Sequence, residues 1–122
     1  MKVTVQNGAP HGLSRREVEA ISPLFPESWS RRVEQIILYQ GDSPALRTSF
    51  HPKDRVLGLF WPMPVEAASK AEGVRELLLA LSLVNERGEL PVRLSKALRE
   101  RHLEALSGLM RRCLSQVAPN AV

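Results

Sequence analysis

The chain is poor in cysteine, in aromatic residues and in long apolar runs, and each shortage removes a class of protein. There is one cysteine, Cys113, among 122 residues. A lone cysteine forms no internal disulfide and builds no zinc knuckle. It fits a reducing compartment, most simply the cytoplasm. Aromatic residues make up 5% of the chain, too few for an array of base-stacking platforms. Trp29 and Trp61 read instead as core or rim anchors. The longest apolar stretch, Leu77 to Val84, is too short to span a bilayer and contains Ser82. MKVTVQNGAP at the start lacks the apolar centre of a signal peptide, so no membrane is expected. No glycine-rich phosphate loop follows a strand, no G-x-S-x-G elbow occurs, and no two of the three histidines stand four apart. Nothing in the sequence asks for a cofactor.

What is present is a chain of ordinary globular make-up. Apolar residues make up 43% and charged residues 25%, enough for one domain over 1–122 with a core that needs no covalent staple. The net charge is +4. From Pro91 onward Arg93, Lys96, Arg99, Arg101, Arg111 and Arg112 face only Glu100 and Glu104, so that segment carries the whole surplus. A basic end of this kind suits a solvated helix face, or phosphates, or an acidic protein.

The chain reads as a strand, a helix, three strands and then two helices. Lys2 to Gln6 reads as a strand, and Gly8, Pro10 and Gly12 as a loop. Ser14 to Glu17 is a capping box opening a helix over 15–22, stopped by Pro23 and Pro26, with the length of a crossover to a parallel strand. Val33 to Tyr39 is a strand whose Ile36, Ile37 and Leu38 suggest burial on both faces. Leu46 to Phe50 is expected at a sheet edge, and Arg55 to Trp61 is a second apolar strand. A second capping box, Ser69 to Glu72, opens a leucine-rich helix that ends before Gly88. One last helix is expected from Ser95 to about Gln116, with Leu94, Leu98, Ala105, Leu106, Leu109 and Cys113 as its apolar stripe and a loose tail over 118–122. The order predicts an α+β fold, a small mixed β-sheet of about four strands with one crossover helix and two C-terminal helices packed on one face.

Candidate chemistry centres on the leucine-rich helix. Its residues 74–81, V-R-E-L-L-L-A-L, lie on the zincin pattern V-H-E-L-x-H-A-L, in which two imidazoles one turn apart hold zinc and the glutamate polarises its water. Over about residues 33–116 the order of elements, a small mixed sheet, an apolar last strand, a connector and this helix, also resembles the zincin-like metallopeptidases. Glu76 falls on the glutamate, while Arg75 and Leu79 replace the histidines. Arginine accepts no metal and leucine has no lone pair to offer, so the resemblance implies a degenerate, metal-free member. It leaves Arg75 and Glu76 as remnant-site candidates, each expected to pair within the former cleft. An improvised metal site would have to join Glu76 to Glu100, His102 and Glu104.

Three functions follow as expectations. The first is a non-catalytic protein-interaction domain that uses the edge at Leu46 to Phe50 to take a strand from an unknown protein partner; the sequence selects no oligomeric state. Its mark would be a concave apolar groove beside that edge, and His51 with Trp61 are candidates to line a groove. The second is nucleic-acid binding through Arg99, Arg101, Arg111 and Arg112 on one basic helix, although Arg99 lies about 160° off the line of Arg101 and Arg112 at 100° per residue. The third is a metal-dependent hydrolase with an altered ligand set around Glu76 and His102. His11, between Pro10 and Gly12, reads as a solvent residue, and Cys113 as a buried, inert thiol.

Overall fold

The computed structural model describes residues 1–6 and 10–117; the tail expected over 118–122, and Gly8 of the first loop, lie outside them. The chain is α+β. Its strands are β1 (Lys2–Val5), β2 (Gln35–Gln40), β3 (Arg47–His51) and β4 (Val56–Trp61). Its α-helices are α1 (Arg15–Ile21), α2 (Glu27–Arg32), α3 (Lys70–Arg87), α4 (Lys96–Ala105) and α5 (Ser107–Val117). The sheet order is β1-β2-β4-β3. β1, β2 and β4 run parallel, and β3 pairs antiparallel with β4 at one edge.

Local chemistry sets the helix ends. Ser14 accepts from the Glu17 amide and Glu17 reaches back to the Ser14 amide, and Ser69 and Glu72 repeat the arrangement. Gly88, with φ of 75°, closes α3 in the left-handed conformation that a side chain would resist. The crossover from β1 to β2 contains more than the single helix expected. α1 ends at Ile21, before Pro23, but a 3₁₀ turn follows over Ser22–Leu24 and α2 starts immediately after Pro26. Proline is tolerated at a helix start because its missing N–H has no partner there anyway. α2 buries Trp29 against Phe25, ring centroids 5.3 Å apart.

One face of the sheet is sealed. Val3, Ile36, Leu38, Leu57, Leu59 and Trp61 point into the core with Val74, Leu77, Leu78 and Leu81 of α3. Each fully buried leucine contributes roughly 1.5–3 kcal/mol of transfer free energy. The expectation that β2 is buried on both faces is corrected. Ile37 and Tyr39 stay half-exposed, because the helices cover only the face carrying Ile36 and Leu38. On the opposite face the neighbours shelter one another. Tyr39 stacks on Phe60 at 4.6 Å, and the Arg47 guanidinium lies 5.4 Å from the Phe60 centroid.

The last helix expected from the sequence is two helices. Leu106 ends α4 with φ of −90° and ψ of −3°, just where Ser107 and Gly108, both weaker helix formers than leucine or alanine, begin the next. The break turns Leu106, Leu109, Cys113 and Val117 into the core and leaves Ala105 exposed, so the single stripe is corrected at that residue. Of the expected C-terminal pair, α3 lies on the sheet. α4 and α5 form an outer layer, α4 packing on α3, and α5 on α1 and α3.

Trp61 joins these layers. It is 1% exposed, and its indole N–H donates to the Val65 carbonyl at 2.8 Å. Its ring fills the space left by two glycines. A Cβ on Gly12 would stand 1.9 Å from the ring, and one on Gly73 would stand 2.4 Å from it. His11 is not a solvent residue. Its ring sits 4.8 Å from that of Trp61, and Nε2 lies 3.2 Å from the Leu59 carbonyl while the Leu13 amide donates to Nδ1 at 3.1 Å. Nδ1 also lies 2.9 Å from the Leu13 carbonyl. Burial lowers the His11 pKa below its ordinary 6.5, with the backbone bonds to Leu59 and Leu13 opposing the shift.

Two outcomes are expected. Gly73→Ala, which in an open helix would stabilise by about 1 kcal/mol, should here destabilise by about 1–3 kcal/mol, read as a lower urea midpoint at unchanged slope. An unchanged or raised midpoint would contradict the clamp. Because the folded His11 pKa is lowered, the unfolded chain binds more protons below 6.5. Its contribution is therefore fully present above 6.5 and is lost as pH falls through the folded value. His11→Gln should flatten that part of the stability–pH curve measured by urea titration.

Candidate functional site

The sequence-marked helix and the edge strand meet in a groove of about 500 Å³. One wall is β3, through Arg47, Thr48 and Ser49. The floor is the outward side of α3, through Glu76, Leu79, Ala80 and Leu83, and the far wall is the segment between α3 and α4, through Leu90, Val92 and Leu94. Leu79, Ala80 and Leu83 are themselves buried, at most 3% exposed, so the floor is closed and the lining of the groove mixes polar and apolar groups. Val92 is 102% exposed, fully open to solvent on the rim. A second depression of about 340 Å³ meets the first at Glu76 and Arg99 and continues past Pro44, Ala45, Leu46, Ala67 and Ala68.

Charge is concentrated where the two depressions join. Arg99 of α4 grips the Glu76 carboxylate with both terminal nitrogens, one of them at 3.3 Å. That bond to Glu76 raises the Arg99 pKa against the opposing effect of burial. Arg75 lies beside the pair: its Nε is buried, stands 3.5 Å from Glu76 Oε1, and makes no hydrogen bond. A guanidinium fork matches a carboxylate in shape, which makes the Arg99–Glu76 pair directional as well as attractive.

Several sequence-marked residues go elsewhere. Glu76 and His102 do not meet. His102 is 5% exposed and turned toward the other end of α3, with Nδ1 2.8 Å from Ser82 Oγ. Its Nε2 stands 2.9 Å from Glu86 Oε2, a contact distance poorly aligned for a hydrogen bond. Glu100 and Glu104 are exposed, and Glu100 faces Lys96 at 3.9 Å. Among the described residues no group of three or more acidic, histidine or cysteine side chains could hold a metal ion. The altered ligand set around Glu76 is thus corrected: one turn of α4 separates His102 from Arg99, and the arginine occupies the glutamate.

The basic helix is corrected as well. Arg99 and Arg101 belong to α4 and Arg111 and Arg112 to α5, so the break at Leu106 abolishes the shared helical face. Arg99 is neutralised by Glu76 and Arg101 by Glu86 at 2.8 Å, while among the described residues Arg111 and Arg112 form no ion pair. Arg111 edges a separate apolar notch with Leu103, Met110 and Leu114. His51 and Trp61 do not share a groove. His51 stands exposed opposite Val56, at the far end of β4 from the buried Trp61. Burial pushes the Cys113 thiol up to about 11, against the weak lowering by Arg112, so it stays protonated and inert as expected.

The sequence reading missed Arg47 and Val92. The signal for Val92 was the alternation of Leu90, Val92 and Leu94 in a connector with no helix of its own; Arg47 carried none, and the register of β3 sets it beside Phe60 on the sheet face away from α3, so that it meets the groove only at its rim. No family model, curated protein or solved structure matches the chain.

If the fork at the junction is a working ion pair, a double-mutant cycle on Glu76→Gln and Arg99→Gln should give a coupling of about 1–2 kcal/mol by thermal or urea unfolding. It should shrink in high salt. Strict additivity of the two changes would show that the pair contributes nothing.

Proposed function

We propose that the chain is a non-catalytic protein-interaction domain that takes an extended segment of a partner as an added strand on β3, with its side chains in the groove over α3. The observation that carries this reading is the coincidence of a terminal strand with a groove directly beside it whose rim carries Leu90, Val92 and Leu94. An edge strand offers unpaired backbone groups at regular spacing, and a groove that sees every second residue of an incoming strand supplies the selectivity. Each backbone hydrogen bond contributes only about 0.5–1.5 kcal/mol net, so apolar contact with Leu90, Val92 and Leu94 on the rim must add to the affinity. Val92, exposed on the rim, fits a residue that is covered in the complex.

The resemblance to zincin-like metallopeptidases supports the same location. Arg75, Glu76 and Leu79, at the places of the metal-binding and catalytic residues in that pattern, all line the two joined depressions. In this reading the domain has an inactive zincin-like fold that keeps a cleft for an extended chain and has exchanged zinc ligands for an arginine and a leucine. The Arg99–Glu76 pair then closes the former centre with a salt bridge.

The test is selection from a displayed library of random linear peptides on the immobilised protein, followed by affinity measurements on the enriched sequences. Enriched peptides should place apolar residues at alternate positions. Val92→Asp should weaken them about tenfold, near 1.4 kcal/mol, without lowering the melting temperature. Absence of enrichment, or binders indifferent to Val92→Asp, would overturn the proposal.

A further inference from the structure

We infer that the apolar notch on the outer helical layer is a contact between two copies of this chain, related by a two-fold axis through the notch. The notch has a volume of about 420 Å³ and lies between α4 and α5, lined by Leu103, Ser107, Met110, Arg111 and Leu114 together with Arg75 of α3. It shares only Arg75 with the depressions beside β3, so the inference does not rest on the strand reading.

Helical spacing explains why hydrocarbon is left over here. His102, Leu106, Leu109 and Cys113 form the buried line of α4 and α5. Leu103, Met110 and Leu114 each follow one of these by a single residue, about 100° round the helix. They make a second line that the core covers only in part, and all three stay half-buried. A helix with one face in the core and the other in water carries polar residues toward the solvent side. Although the helices break at Leu106, the notch brings the two parts of this second line together.

The charges bordering the notch decide what covers it. One residue further round, Glu104 on α4 and Arg111 on α5 are exposed. Among the described residues neither forms an ion pair. Arg75 lies 3.5 Å from Glu76, and Glu100, the next acid along α4, faces Lys96 at 3.9 Å. The patch therefore holds an unmatched acid and an unmatched base, on different helices. A partner of a single charge sign would match one and repel the other. A second copy matches both, because a two-fold interface sets the same patch against itself and every contact across it occurs twice. Glu104 opposite the partner's Arg111 gives two equivalent ion pairs flanking the shared hydrocarbon. A patch of this extent belongs to the small, weak class of interface, so the dimer forms at micromolar concentrations or above.

Sedimentation velocity of the full chain from about 1 μM to about 1 mM should show a reversible monomer–dimer equilibrium, weakened by added salt. Glu104→Arg and Arg111→Glu each set like charges against one another in both contacts, and each should raise the dimer Kd about tenfold or more. An equimolar mixture of the two variants should recover dimerisation, because every contact then joins unlike charges again. Loss of fold in either variant would not produce that recovery. A chain that stays monomeric throughout the range overturns the inference. A dimer that neither variant weakens, such as one formed through β3, overturns it as well, and so does a mixture that dimerises no better than the variants alone.

Discussion

The packing of Trp61 between Gly12 and Gly73 is the contact on which the remaining architecture depends. Trp61 ends the central strand β4, and its indole reaches the loop before α1, the connector after β4 and the first turns of α3 at once. Only a residue without a side chain lets helix backbone come this close to an indole, and a tryptophan buries more area than any other residue that could occupy the gap. The usual cost of glycine in a helix is offset by that contact. The result is a fixed position for α3 across β4 and β3.

That position determines what the outward side of α3 can do. The side packed on the sheet takes Leu77, Leu78 and Leu81, and the outward side is left with Glu76, Leu79, Ala80 and Leu83 beneath the free edge of β3. Gly88 then ends the helix sharply enough for the following segment to return as the second wall. α4 packs on α3 beyond that wall, which delivers Arg99 to Glu76 and carries His102 to Ser82 and Glu86. One helix thus serves as core, as floor of the groove and as support of its charged junction.

Much of the fold was legible because its signals are local. Both capping boxes, the four strands and the leucine-rich helix follow from short stretches whose period or end residues have a physical reason. The missed helix α2 and the break at Leu106 show the limit. Pro26 begins a helix as readily as proline ends one, and Ser107-Gly108 weakens a helix without dictating that it breaks. The site was half-legible. Arg75 and Glu76 stood out on α3, and the edge of β3 was expected. The partner of Glu76 was not, since Arg99 and His102 lie one turn apart on α4 and only the packing angle decides which reaches it. Arg47 meets the groove only at its rim, from beside Phe60 on the opposite sheet face, which no single-sequence pattern specifies.

The most direct test of an added strand on β3 is backbone amide exchange of the protein with and without a saturating selected peptide. Slowed exchange confined to alternate amides of Arg47–His51, together with protection of the segment around Val92, is the result this account requires. Protection located instead on α4 and α5, with β3 exchanging as in the free protein, would contradict it and move the binding surface to the other side of the molecule.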